Sequence, residues 1–152
     1  VGARPKTYRH RQTQVIVRLA GPHQATTEVS PNGVRVNIPG AVITIGDTKA
    51  SRSIVSLWRD AAESWRRLFP TDLRAPSYPI TTGSTTWVSV ALTGRISGRD
   101  VQGKAPKFSR SHCGELRVRM GELVIVMDDQ AAARSQIPVW LEACELMEIF
   151  FQ

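Results

Sequence analysis

The chain has 152 residues, of which 41% are hydrophobic and 22% charged, and its formal net charge is +7. This length suits one compact domain, or two small units around one core, and the mixed charge pattern excludes global disorder. No apolar run approaches the roughly 18 residues that a membrane span needs, so no membrane association is expected. The charge is uneven. Residues 1–127 hold 19 Lys and Arg against 8 Asp and Glu, whereas residues 128–152 hold one Arg against five acids. A basic body with an acidic end suits a polyanion on one surface and a basic partner on another.

The chain opens on Val1 rather than Met, as expected of a processed or trimmed chain. Residues 1–12 read as a basic, flexible arm. It carries Arg4, Lys6, Arg9 and Arg11, with Tyr8 and His10 interleaved, and lacks the apolar core of a secretory signal. Cys113 and Cys144 belong to no Cys-x-x-Cys pair and lie near no His cluster. Neither a disulfide nor a metal is expected of them, and a reducing cytoplasm fits best.

Four strands follow. Val15, Val17 and Leu19 alternate with Gln14, Ile16 and Arg18, the pattern of a half-buried strand. ATTEVS makes a second, and Ser30-Pro31-Asn32-Gly33 a tight turn into VRVNI, because Pro presets the first corner and Asn-Gly accepts positive φ. Pro39-Gly40 breaks that strand, and AVITI forms the fourth, giving an antiparallel meander. Next, Ile54, Trp58, Ala61, Ala62, Trp65, Leu68 and Phe69 fall on one helical stripe that Pro70 ends. PTDLRAPSYPITTG then reads as a linker across residues 70–83.

The remainder repeats this order. Residues 34–69 align without a gap on 116–151, with identities that include Arg35/Arg117, Val36/Val118, Asp47/Asp129, Ala50/Ala132, Arg52/Arg134, Ser53/Ser135 and Trp58/Trp140. TQVIVRLAG matches TWVSVALTG at five of nine positions. The second copy has nine extra residues in its early loop. Its strands are expected near 87–93, 108–112, 115–120 and 123–127, and its helix over 136–151. Pro138 aligns with Ser56, and a proline is harmless only in a helix's first turn, so both helices are expected to start after N-caps at Ser53 and Ser135. Asp47 and Arg52, like Asp129 and Arg134, are expected to brace the preceding turn. The fold class is α+β: an internally duplicated ββββα unit, 13–69 and 84–152, forming two antiparallel sheets with two helices packed about a pseudo-twofold axis. The second helix is the more apolar, so self-association through it is expected.

A strand-strand-strand-strand-helix unit occurring twice resembles the layout of Whirly and Pur-repeat proteins, and Gly103-Lys104-Ala105 echoes the Lys-Gly-Lys-Ala signature of the Whirly family. The resemblance implies paired sheets that bind single-stranded DNA or RNA, with helices joining the halves.

The basic residues fit that reading. The second-copy loop RISGRDVQGKAPKFSRSH carries Arg95, Arg99, Lys104, Lys107 and Arg110 against Asp100 alone. Arg35, Arg117 and Arg119 sit on the outward phase of their strands, and Trp87, opposite in phase to Val88 and Val90, is the best base-stacking candidate. With the arm residues, these are the expected nucleic-acid contacts. Phosphate contacts position a strand without reading it, so weak sequence specificity is expected. No phosphate loop, Ser/His/Asp set or metal-spaced group is present, so no enzyme, cofactor or metal is expected. A protein-interaction or assembly subunit of a phage, plasmid or secretion apparatus is the alternative. A Mg²⁺-dependent nuclease built on Asp100, Glu115, Asp128 and Lys104 is the second alternative.

Overall fold

The computed structural model describes residues 14–70, 88–104 and 114–151. Chain order is β1 (Val15–Leu19), β2 (Thr26–Ser30), β3 (Gly33–Ile38), β4 (Ala41–Ile45), α1 (Thr48–Leu68), β5 (Val88–Leu92), β6 (Arg99–Lys104), β7 (Glu115–Met120), β8 (Leu123–Met127) and α2 (Gln130–Phe150). Among the described residues, eight strands and two helices make an α+β fold with two four-stranded sheets. β6 is an edge strand where a loop was expected; the expected strand near 108–112 lies outside the described residues.

The sheets are not the two meanders the alternation suggests. One sheet runs β1-β8-β7-β6, the other β2-β3-β4-β5. The first strand of each half crosses to the other half's sheet and joins it in parallel, so both sheets are mixed rather than antiparallel. Val15–Leu19 runs beside Leu123–Met127, and Val88–Leu92 beside Ala41–Ile45. These registers coincide at aligned positions, since Val15 meets Leu123 where Val88 meets Ala41. Period-two alternation shows which face of a strand is buried but not which strand lies beside it.

Each helix also covers the opposite half. α1 lies on β6 and β7, α2 on β2 and β3, and the helices pack on each other. Inward residues Val34, Val36, Ile43 and Ile45 of one sheet and Leu116, Val118, Ile125 and Met127 of the other are fully buried. At the centre the aligned Trp58 and Trp140 stack, ring centroids 4.9 Å apart and 4° from parallel. Their indole N–H groups are satisfied differently: Trp58 donates to Met120 Sδ, Trp140 to Gln136 Oε1.

The helix starts correct the expectation. Asp47 and Asp129, both in extended backbone, are the N-caps, accepting from the amides of Ala50 and Ala132 at 2.8 Å. Ser53 and Ser135 lie inside the helices, and their hydroxyls donate back to the carbonyls of Lys49 and Ala131. The Asp–Arg braces do not form, because each aspartate is engaged by backbone amides. Arg52 reaches Glu148 instead, and Arg134 lies over the Trp65 ring.

The same aspartates hold the exchanged strands. Gly21, just past β1, donates to Asp129 at 2.8 Å, and Gly94, just past β5, donates to Asp47 at 2.8 Å. Both glycines have positive φ, 76° and 68°, which lets the chain turn sharply toward the carboxylate. Two residues on, the amides of His23 and Ile96 donate to Ser135 and Ser53.

Pro138 therefore stands well inside α2, on its exposed side. It supplies no N–H to the turn before it, and an interior proline costs about 3 kcal/mol in a helix. Pro138→Ala is expected to stabilise the protein by about 1–3 kcal/mol, read as a higher urea midpoint at unchanged slope. Asp47 gives a second test. The amides of Ala50 and Gly94 hold its carboxyl below the ordinary 3.8. A depressed folded value contributes stability above the unfolded one and loses it as pH falls through the folded one. Asp47→Asn should flatten the loss of stability between about pH 5 and pH 3; an unchanged acid limb in urea titrations would show that the clamp carries no such linkage.

Candidate nucleic-acid interface

The expected contact residues fall into three groups. Arg4, Lys6, Arg9, Arg11, Trp87, Lys107 and Arg110 lie outside the described residues. Arg35, Lys104, Arg117 and Arg119 sit on outer sheet faces. Arg95 and Arg99 line a cleft.

On the β1-β8-β7-β6 sheet, the outward residues form a compensated network. Glu115, 8% exposed, accepts from Arg117 Nε at 2.8 Å and lies 3.0 Å from Arg18 Nη1 and 3.8 Å from Lys104 Nζ. Arg18 also reaches Asp128 at 2.7 Å. Burial pushes the Glu115 carboxyl up, but Arg117 and Arg18 outweigh it and hold the group below its usual range. Asp128 is pushed up by burial, with Arg18 only partly opposing. Arg119 donates to the Gly121 carbonyl and stands opposite Asp100 in the register. Arg18, Lys104 and Arg117 thus meet Glu115 and Asp128, and little of their charge remains for a phosphate backbone.

This network also bears on the nuclease reading. Glu115, Asp128 and Lys104 do converge on one face. The Arg18 guanidinium, however, lies between the two carboxylates, where a cation shared by them would sit. Among the described residues no group of three or more His, Cys, Asp or Glu is arranged to hold a metal. Gly103-Lys104, the described part of the Whirly-like echo, has a packing account. A Cβ on Gly103 would come within 2.7 Å of the Leu68 side chain, and Lys104 turns to Glu115.

The outer face of the β2-β3-β4-β5 sheet is nearly uncharged. Thr26, Asn37, Val42 and Ser89 form one cross-strand row, and Glu28, Arg35, Thr44 and Ala91 the next. Arg35 is exposed but stands directly opposite Glu28.

A cluster of cations with no carboxylate in its lining lies elsewhere. Lys49 and Arg52, on the first turns of α1, face Arg95 from the loop after β5 and Arg99 from the start of β6 across an open cleft of about 490 Å³. Ser53 completes the lining, and no carboxylate contributes to it. The Arg99 guanidinium is held by the Ser53 carbonyl at 2.8 Å. Among the described residues no carboxylate lies within ion-pair distance of Lys49, Arg95 or Arg99; Arg52 pairs with Glu148 at 2.9 Å on the rim. Lys49 and Arg52 were missed from sequence because a helix starting at Ser53 leaves them in a turn. With Asp47 as the cap, they point the way α1 presents its first two turns.

A second groove, about 590 Å³, runs between the helices over Val55, Leu141 and Cys144, with Arg59 and Glu145 on its rim. Burial pushes the Cys144 thiol up to about 11, so it stays protonated and is no nucleophile at neutral pH. No helix among the described residues is long and apolar enough to cross a membrane. The chain matches no family model, and no match to it was found among curated proteins or solved structures.

Glu115 is the keystone of the compensated network. Glu115→Gln should cost about 1–3 kcal/mol in urea unfolding, because three cations lose a shared, nearly buried counter-charge. A cost within error would mean that the network is surface decoration.

Proposed function

We propose that the chain is a non-catalytic nucleic-acid-binding protein of the cytoplasm, taking single-stranded DNA or RNA with weak sequence specificity. The observation that carries this reading is the cleft, where Lys49, Arg52, Arg95 and Arg99 gather without a carboxylate in the lining. Such a cleft raises the local concentration of a polyanion and holds phosphate oxygens. The element order shared with Whirly and Pur-repeat proteins, and the arm residues Arg4, Lys6, Arg9 and Arg11, support it from sequence. The matched caps, clamps and strand registers support descent of the two halves from one duplicated unit.

Weak specificity follows from the aromatics. Trp58 and Trp140 are buried against each other, and the guanidiniums of Arg66 and Arg134 lie over the Trp65 ring at 5.3 and 5.5 Å. Among the described residues no aromatic lines the cleft, so phosphate contacts lead and bases contribute little.

A second reading, a protein-interaction or self-association surface, is favoured by Ile149 and Phe150 in the last turn of α2, 58% and 60% exposed.

The test is fluorescence polarisation with an internally labelled 20-nucleotide single strand across a salt series. Each phosphate contacted adds about −0.7 to the log–log slope, so one or two contacts at the cleft give about a 3- to 7-fold loss between 50 and 200 mM salt. Arg95→Ala with Arg99→Ala should roughly halve that slope, whereas Arg117→Ala should leave it unchanged. Absence of binding at 50 mM salt would end this reading in favour of the second.

A further inference from the structure

We infer that the cleft takes a dianionic terminal phosphate, so that the protein holds the phosphorylated end of a nucleic-acid strand; this rests on the nucleic-acid reading above.

The shape of the charge distribution points this way. Internal phosphodiesters carry one negative charge each and call for cations strung along a groove. Here Lys49, Arg95 and Arg99, with Arg52 shared with Glu148, line a single open cleft of about 490 Å³. A terminal phosphomonoester concentrates about −1.5 to −2 charges and three strong acceptor oxygens in one group, which suits a compact cluster.

The surroundings offer no continuation. Beyond Arg52 stands Glu148. On the neighbouring sheet face, Arg18, Lys104 and Arg117 are committed to Glu115 and Asp128. A backbone passing through would leave the cleft past Glu148 on the Arg52 side. A strand end enters once and has a single exit.

Among the described residues the site has no counterpart in the other half. The positions aligned with Lys49, Arg52, Arg95 and Arg99 in the other half are Ala131, Arg134, Pro22 and Ala25. Of these only Arg134 is charged, and it lies over Trp65. Two equivalent halves that track a strand together would each carry such a cluster, whereas one end needs one receptor.

The cleft is also set before a ligand arrives. The Ser53 carbonyl fixes Arg99, while the Ser53 hydroxyl donates to the Lys49 carbonyl and accepts from the Ile96 amide. The two sides of the cleft are thereby tied to each other, which lowers the ordering cost of binding.

The experiment compares one internally labelled single strand in three forms: 5′-phosphorylated, 3′-phosphorylated and with hydroxyls at both ends. A nucleoside monophosphate serves as the competitor that carries the same group without a strand. One phosphorylated form should bind about tenfold tighter than the hydroxyl-ended strand, the equivalent of one charge-assisted contact. Lys49→Ala with Arg95→Ala should reduce that advantage below about twofold while the thermal midpoint holds, since neither side chain has an ion-pair partner among the described residues. Equal affinity for all three forms overturns the end preference and leaves the nucleic-acid reading standing. A monophosphate that binds as tightly as the phosphorylated strand assigns the cleft to free phosphoesters and overturns the strand-end inference. Binding of no strand overturns both.

Discussion

Two carboxylates join the halves of this chain. Asp47 and Asp129 each start a helix by accepting from an amide of its first turn, and each also accepts from the glycine that ends a strand contributed by the other half. A helix N-terminus has four amides without intrahelical partners, so an anion there is already favoured. Placing the strand exit at the same carboxylate ties the exchange of β1 and β5 to formation of the helices. Pulling one half away would strip an edge strand from each sheet, uncover the inner faces beneath both helices and leave the clamps half satisfied.

The frame is matched at aligned positions, but its decoration is not. Where one half has Gly33, Gly46, Asn37 and Ala91, the other has Glu115, Asp128, Arg119 and Arg18. One outer sheet face is therefore small and hydroxyl-rich, and the other is a charge network closed on itself. The interior shows the same divergence. Trp140 donates to Gln136, whose amide meets His23 at 2.7 Å; the aligned residues around Trp58 are Ile54 and Ile96, an apolar pair. Because Gln136 donates to His23 Nε2, the ring carries its proton on Nδ1 and gives it to the Gly21 carbonyl. A polar chain in one half stands where the other half has two buried isoleucines. The cationic cleft belongs to this unmatched layer.

Much of the frame was legible in the sequence. β3, β4 and β7 fall where the alternation puts them, since Val34, Val36 and Ile38, or Leu116, Val118 and Met120, fill the buried phase; β8, apolar and buried throughout, follows from its alignment with β4. Trp58 and Trp140, paired by the gapless alignment, meet at the helix interface. What was not legible depended on partners distant in the chain. Ser53 and Ser135 have the chemistry of N-caps, and Pro138 favoured a late start, but the amides waiting at Gly21 and Gly94 make the aspartates the caps. The basic residues could be counted but not sorted. Arg117 and Lys104 resemble Arg95 and Arg99 in sequence, and only the fold shows that the first two face Glu115 while the others face open space.

The most direct test of the interlocked architecture is the ratio of calorimetric to van't Hoff enthalpy on thermal unfolding. With each half lending a strand and a helix to the other, the chain should unfold as one unit, giving a single transition and a ratio near one. Two resolved transitions, or a ratio near two, would mean that the halves are independent domains and that the shared clamps do not couple them.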